Sequence, residues 1–93
     1  MRLDWSDEAL DDLARLHDFL APAAPDAAAR AVQGLVDAAE GLLQNPKLWE
    51  RLDLYWPREV RAVILLNGRY ELRYEVTEAA VTVLRIWSTR EDR

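Results

Sequence analysis

The sequence of 93 residues contains no cysteine, one histidine, one lysine and three glycines. Without cysteine the chain has no disulfide, no thiolate zinc site and no cysteine nucleophile, a composition that fits a reducing compartment. The longest uninterrupted aliphatic run, residues 62–66, is far shorter than the roughly 20 residues that span a bilayer. The acidic start of the chain, with Asp4, Asp7 and Glu8, is not followed by the apolar stretch of a secretory signal. These absences predict a cytoplasmic protein that makes no contact with a membrane.

Acidic and basic residues are unevenly distributed along the chain. The formal net charge is −5 at pH 7, and the isoelectric point is about 4.8. Residues 1–56 contain 11 acidic and 5 basic side chains, whereas residues 57–93 contain 6 and 7. Proteins that bind nucleic acid unaided carry a basic stripe and a high isoelectric point, so direct binding to DNA or RNA is not expected. Arginines in the second half could still hold an anion: Arg58, Arg61, Arg69, Arg73, Arg85 and Arg90.

The first half of the chain predicts a short strand and two helices. Residues 2–5 form the strand candidate, and Ser6 is a favoured N-cap for a helix whose apolar positions recur at helical spacing. Pro22 ends this helix, and a second helix begins at Pro25 and is stopped by Pro46. The short connection between them predicts an antiparallel helical hairpin. The polar face of the first helix is acidic, with Asp7, Glu8, Asp11, Asp12 and Asp18.

The second half of the chain predicts three strands. Strands 58–66 and 69–76 are joined by an Asn-Gly dipeptide ending at Gly68, which suits a type I′ turn because both positions need positive φ. The second of these strands alternates strictly between apolar and charged side chains, so one face meets a core and the other meets water or a partner. A last strand covers residues 81–87. The order β-α-α-β-β-β predicts one α+β domain over residues 1–93, a helical hairpin packed on a mostly antiparallel four-stranded sheet.

Residues 47–57 connect the helices to these strands and contain Trp49, Tyr55 and Trp56. Aromatic residues in a connector have two interpretations: the segment lies over the edge of the core, or it forms a recognition surface. The aromatic and aliphatic surface exceeds what two short helices can bury. It therefore predicts a partner whose amphipathic helix covers the excess.

No catalytic or metal-binding group stands out in the sequence. His17 lies on the apolar stripe of the first helix, and without cysteine or a second histidine a metal site would depend on carboxylates alone. Glu71 and Glu75 alternate with Arg69 and Arg73 on one strand face, a pattern typical of ion pairs on a solvated surface. Arginine stays protonated and cannot act as a general base. The sequence thus predicts no catalytic residue, no metal and no cofactor.

Five segments occur in a recognisable order: WSDEALDDLARL, APDAAAR closed by NP, REVR, YELRYEV and VTVLRIWSTREDR. Together they resemble the RelE/ParE superfamily of toxins from type II toxin–antitoxin systems, over nearly the whole chain. The resemblance implies a compact bacterial toxin that is neutralised by a small antitoxin encoded beside it. In this superfamily, RelE-like members cut mRNA in the ribosomal A site, and ParE-like members poison DNA gyrase.

The positions of the nuclease residues favour the ParE branch. With the chains aligned on Tyr70, the two lysines of RelE-type nucleases correspond to Ala62 and Ile64, and their next arginine corresponds to Glu71. A terminal arginine has a counterpart in Arg90, but no tyrosine follows it. Because three of the four nuclease positions differ, the resemblance implies a toxin that binds gyrase without catalysing a reaction.

The resemblance also implies where the partners bind. The target-binding candidates lie in the C-terminal tail, where many ParE-like chains have histidine at the first of these positions: Ser88, Arg90 and Arg93. The candidates for binding a ParD-like or similar antitoxin are the connector aromatics, Trp49, Tyr55 and Trp56. Trp87 is expected to belong to the fold, and the polar tail after it is expected to bury nothing. Two alternatives stay open: a ribosome-dependent mRNA endonuclease working through arginines alone, and an inactive member that only binds antitoxin.

Overall fold

The computed structural model describes residues 1–91, in which two helices pack on a five-stranded sheet. The strands are β1 (Arg2–Trp5), β2 (Glu50–Arg51), β3 (Val60–Leu65), β4 (Tyr70–Val76) and β5 (Ala80–Ser88). The helices are α1 (Asp7–Leu20) and α2 (Pro25–Gly41), with short 3₁₀ turns at Leu42–Gln44 and Asp53–Tyr55. Within the described residues, no helix combines the length and apolar character that crossing a bilayer requires. The predicted α+β class and the β-α-α-β-β-β order are confirmed.

The strands lie in the order β1-β5-β4-β3-β2. β1 runs parallel to β5, from Arg2 opposite Ala80 to Trp5 opposite Val83, and the other neighbours are antiparallel. The prediction of a four-stranded sheet is wrong by one strand, because Glu50–Arg51 within the predicted connector pairs with β3. Two residues are too few to show the alternation by which a strand is detected in sequence.

The core lies between the helices and one face of the sheet. Leu72 and Tyr74 on β4 and Ile86 on β5 are fully buried there, as the alternation of β4 predicts. The Tyr74 hydroxyl donates a 2.7 Å hydrogen bond to the Pro46 carbonyl. Burial raises the pKa of Tyr74 to about 12. This hydrogen bond satisfies a buried phenol and ties the end of the helical segment to the sheet.

The two helices begin as predicted, but the second ends early. The Ser6 hydroxyl accepts a 3.0 Å hydrogen bond from the Ala9 N–H, which makes it the N-cap of α1, and it donates to the Leu84 carbonyl at 2.8 Å. One side chain therefore starts the helix and anchors it to β5. α2 ends at Gly41 and tightens into a 3₁₀ turn, instead of continuing to Pro46. The C-cap of this 3₁₀ turn is Asn45, so the stop predicted at Asn45-Pro46 closes the helical segment as a whole.

The loop between β3 and β4 comprises residues 66–69, so the prediction of a two-residue type I′ turn is wrong in length. Leu66, Asn67 and Gly68 have φ values of 52°, 60° and 82°. Positive φ at the last two is as expected, but leucine in this region is unusual. The Leu66 side chain packs on α2, where a methyl group at Gly34 would lie 3.3 Å from Leu66 Cδ1. A contact with a distant helix thus sets the shape of this loop.

Candidate functional site

The carboxylate of Asp12 joins α1 to the edge of β5 beyond the end of β1. β1 pairs with β5 only as far as Val83, so the backbone of β5 needs other partners from there on. The Ile86 N–H donates to Asp12 Oδ2 at 2.8 Å. Arg85 Nε donates to the same oxygen at 2.8 Å, and Arg15 Nη2 donates to Oδ1 at 3.2 Å.

These contacts bury Asp12, whose exposed fraction is 4%. Burial alone would raise the pKa of Asp12, but hydrogen bonds from Arg85, the Ile86 N–H and Arg15 hold it below its ordinary value. The expectation that Asp12 lies on an exposed acidic face of the helix is therefore wrong. Its carboxylate accepts the backbone hydrogen bond of β5 that a neighbouring strand would otherwise accept.

The Trp87 ring lies beside two guanidinium groups on the sheet. The Cζ atoms of Arg73 and Arg85 are 4.8 Å and 5.0 Å from the ring centre. Arg73 also donates to Glu71 at 2.8 Å and to the Tyr55 hydroxyl at 3.1 Å. A continuous set of contacts therefore links α1 to the segment that precedes β3, and Trp87 is part of it.

Most arginines of the sheet are paired with a carboxylate: Arg58 with Glu75, Arg61 with Glu59, Arg73 with Glu71 and Arg85 with Asp12. The guanidinium groups of Arg69 and Arg90 differ, since neither has a hydrogen-bond or ion-pair partner among residues 1–91. Both side chains are exposed. The expectation that Arg69 is used for ion pairing beside the turn is thus wrong for the described residues.

The two unpaired arginines line one groove, which we call the arginine groove. Its walls are the C-terminal half of α1, the β3–β4 loop and the end of β5 with the tail, and its volume is ≈ 1150 Å³. These walls carry both charged and aromatic side chains, among them Arg15, Phe19, Arg69, Trp87, Arg90 and Glu91. The groove combines cationic and apolar surface in a protein with net negative charge.

The tail is fixed at two points along the arginine groove. The Thr89 N–H donates to the Arg69 carbonyl at 2.8 Å, and the Thr89 hydroxyl donates to the Gly68 carbonyl at 2.7 Å. Farther along, Glu91 accepts a hydrogen bond from Arg15 on α1. These hydrogen bonds give the tail structural contacts that the sequence does not predict.

The structure brings two of the three predicted target-binding residues together. Ser88 is the last residue of β5, and its hydroxyl lies 3.3 Å from the Arg90 backbone N–H, which donates to it. Both residues line the arginine groove. Arg93 lies outside the described residues.

The predicted antitoxin-binding residues lie away from the arginine groove. Trp56 is 71% exposed, and its ring contacts the Arg51 guanidinium with Cζ 5.0 Å from the ring centre. Trp49 is partly exposed, and Leu54 between them is almost fully exposed. Tyr55 is half-buried by its contact with Arg73. The connector thus presents apolar side chains to solvent, although one of its three aromatics belongs to the fold.

Sequence reasoning missed Asp12, Arg15 and Phe19. The three-residue spacing of Asp12 and Arg15 permits an ion pair on one helix face, but it does not show that the face is buried. Phe19 is 83% exposed and lies off the apolar stripe of α1. A large aromatic residue off the stripe is the one signal that could have identified it.

The described residues offer a binding surface without a free proton acceptor in the groove. Glu91 is the one carboxylate on the groove lining, and it is bonded to Arg15. His17 lies apart from the groove lining, with its Nδ1 3.3 Å from an Asp18 carboxylate oxygen. Within residues 1–91, no three histidine, aspartate or glutamate side chains are grouped so as to hold a metal ion. What this arrangement can do is bind anionic and apolar groups.

Comparisons with known proteins agree with the fold. A family model described as the ParE toxin of type II toxin–antitoxin systems, parDE, matches residues 3–93. The chain is similar to a chain of the chromosomal ParDE system from P. aeruginosa, with a TM-score of 0.79 and 26% identity over 95% of each chain. It also shares the fold of the isolated E. coli RelE toxin, with a TM-score of 0.65 and 17% identity over 98% of this chain and 86% of that one. No curated protein sequence matches it. The predicted RelE/ParE resemblance is confirmed on its ParE side, and the chain belongs to the ParE toxin family of type II toxin–antitoxin systems.

Proposed function

We propose that this toxin inhibits bacterial growth in the cytoplasm by binding DNA gyrase, without catalysing a reaction and without a cofactor. The observation that carries the proposal is the state of Arg90, whose exposed guanidinium has no partner among residues 1–91. An unpaired arginine on a groove wall is available to a protein target. Among residues 1–91 the one carboxylate of the groove lining, Glu91, is already bonded to Arg15, which favours binding over proton transfer.

The target contact is assigned to the tail. Ser88 and Arg90 are adjacent on the groove wall, and Thr89 fixes the backbone between them to the β3–β4 loop. A fixed backbone reduces the conformational entropy that Arg90 loses on binding. Arg93 is proposed to assist on the basis of the sequence alone.

A cognate antitoxin, ParD-like or similar, is proposed to cover the connector. Trp49 and Trp56 are exposed there, with Leu54 between them. Apolar side chains grouped on one segment match the apolar face of an amphipathic helix. Tyr55 is proposed to contribute from its half-buried position at the edge of this surface.

Inducible expression in bacteria and a supercoiling assay with purified gyrase test the toxin's target. We expect induction of the SOS response with filamentation, and inhibition of supercoiling by the purified protein. Arg90→Ala should weaken both effects by about tenfold or more, the usual size for losing a central arginine contact. The matched control is Arg30→Ala, an exposed α2 arginine outside the groove that should leave both effects unchanged.

Other phenotypes contradict the gyrase proposal. An abrupt stop in translation with cleaved mRNA would identify a ribosome-dependent nuclease. Normal growth, with antitoxin binding retained, would identify a member that serves only as a binding module. Equal toxicity of the Arg90→Ala and Arg30→Ala variants would place the target contact elsewhere.

A further inference from the structure

The lining of the arginine groove has a sign opposite to that of the whole protein. Within residues 1–91, four guanidinium groups line it and Glu91 is the one carboxylate beside them: the arginines are Arg15, Arg69, Arg85 and Arg90. The chain as a whole carries a formal charge of −5. A basic cleft in an acidic protein attracts and orients an anionic ligand.

The four guanidinium groups fall into two classes. Arg15 and Arg85 are occupied by the Asp12 carboxylate, and Arg15 also by Glu91. Arg69 and Arg90 have no partner among residues 1–91. The paired arginines thus build the wall, and the unpaired ones are free to bind a ligand.

Arg69 and Arg90 lie at nearby positions on two hydrogen-bonded segments of backbone. The Thr89 N–H donates to the Arg69 carbonyl at 2.8 Å, and Arg90 follows Thr89 directly. Both guanidinium groups therefore originate from one short stretch of paired backbone at the end of the sheet. A ligand with more than one carboxylate can engage both, each through a bidentate pair of hydrogen bonds.

The lining also contains apolar side chains, on α1 and at the start of β4. Phe19 on α1 is 83% exposed, and Leu20 and Tyr70 are half-buried on the same lining. An exposed phenyl ring beside a cationic strip suits a ligand with apolar and acidic side chains together. A nucleic acid would also gain the arginine contacts, and its bases could stack on Phe19, but its phosphates would be repelled by the net negative charge of the protein.

We infer that the arginine groove binds an acidic, amphipathic segment of the protein that the toxin targets. Carboxylates of that segment pair with Arg69 and Arg90, and an apolar side chain packs on Phe19. The inference rests on the proposed function, because it takes the tail as the target contact, and it adds the chemistry of the surface that the target presents.

A labelled peptide tests the groove without any assay of toxicity. The probe is a fluorescein-labelled peptide of about 12 residues, three Glu-Glu-Leu-Phe repeats, titrated by fluorescence anisotropy at low salt. We expect a peptide with glutamine in place of glutamate to bind about tenfold more weakly, because it cannot form charge-assisted pairs. Raising the salt concentration should weaken the acidic peptide selectively.

Matched variants locate the binding surface. Arg69→Gln with Arg90→Gln should weaken peptide binding about tenfold or more, and Phe19→Ser should weaken it severalfold. The controls are Arg30→Gln and Ile64→Thr, which change an exposed cation and an exposed apolar side chain outside both the groove and the connector. All five side chains are exposed, so unchanged melting temperatures should accompany every variant.

Three results would overturn the inference about the groove. They are absence of peptide binding, equal loss of binding in the control variants, and equal binding of the acidic and uncharged peptides. A single-stranded oligonucleotide that binds more tightly, with the same sensitivity to Arg69 and Arg90, would assign the groove to nucleic acid instead.

Competition with purified gyrase separates this inference from the proposed function. Displacement of the toxin from immobilised gyrase by excess acidic peptide supports both. Gyrase binding that the bound peptide leaves unchanged overturns the assignment to the target. Peptide binding with the expected variant pattern, in a protein that does not bind gyrase at all, overturns the proposed function and leaves the chemistry of the groove supported.

Discussion

The carboxylate of Asp12 and the backbone N–H of Ile86, 74 residues apart in sequence, form a 2.8 Å hydrogen bond that closes the open edge of β5. The Asp12 side chain on α1 thus accepts a hydrogen bond from the backbone of β5, as a neighbouring strand does elsewhere in the sheet. The contact also fixes α1 beside the tail, so the wall of the arginine groove depends on it.

We expect Asp12→Asn to lower the free energy of unfolding by about 3 kcal/mol. Asparagine keeps one acceptor oxygen, but its amide nitrogen would face the donors of Arg85 or Ile86. Asp11→Asn is the matched control on the same helix, since Asp11 is exposed and has no partner among the described residues. Urea unfolding of both variants measures the difference, and similar midpoints would show that Asp12 contributes little.

Acid should destabilise the protein through the same contact. The pKa of Asp12 lies below its ordinary value in the folded state, so its contribution is present at neutral pH. That contribution is lost as the pH falls below about 4, because the unfolded chain takes up the proton first. Arg61 and Lys47 likewise lower the pKa of Glu59, and Arg58 that of Glu75.

The variant Asp12→Asn isolates one carboxylate of this acid response. We expect unfolding free energies measured from pH 7 to pH 2 to fall less steeply for Asp12→Asn, by up to about 1.4 kcal/mol per pH unit. The Glu59 and Glu75 contributions should persist. Parallel curves for the two proteins would contradict the depressed pKa.

Gly68→Val should lower the free energy of unfolding by about 1–3 kcal/mol, because φ at this position is +82°. No atom beyond the neighbouring residues lies within 4 Å of an added Cβ, so the cost is backbone strain rather than collision. Gly41→Ala is the control, since an added Cβ there also meets open space. At the end of α2, alanine should stabilise the protein by up to about 1 kcal/mol. An unchanged urea midpoint for Gly68→Val would contradict the loop conformation.

Trp56→Ser should weaken binding of the cognate antitoxin by about tenfold or more and change the melting temperature little. The Trp56 ring is largely exposed and contacts the Arg51 guanidinium, so the fold loses little with it. Phe19→Ser removes an equally exposed aromatic ring from the arginine groove and should leave antitoxin affinity unchanged. Calorimetric titration distinguishes the two surfaces, and the reverse pattern would assign the antitoxin to the groove.

Local features of the sequence predicted most of the fold. Ser6 starts α1 as an N-cap should, and the alternation of β4 identified the buried face with Leu72 and Tyr74. These signals arise from residues close together in the chain, where capping and periodicity apply.

Features that depend on distant contacts could not be predicted in this way. Asp12 is buried because a backbone N–H from β5 reaches it, and the positive φ of Leu66 accompanies its packing on α2. For the same reason, the sequence predicted only part of the candidate site. Ser88 and Arg90 were identified from the family resemblance, whereas the free state of Arg69 became visible only when the pairs formed by the other arginines were known.

The parallel pairing of β1 with β5 also has a consequence during synthesis on the ribosome. β1 is synthesised before β5, yet β5, Ala80–Ser88, is its one neighbour in the sheet among residues 1–91, and the Asp12 side chain of α1 accepts its hydrogen bond from Ile86 in that same strand. Contacts between such distant parts of a chain form late and slowly compared with local ones. A nascent chain that stops short of β5 therefore lacks one wall of the arginine groove, and this surface forms only after β5 has been synthesised.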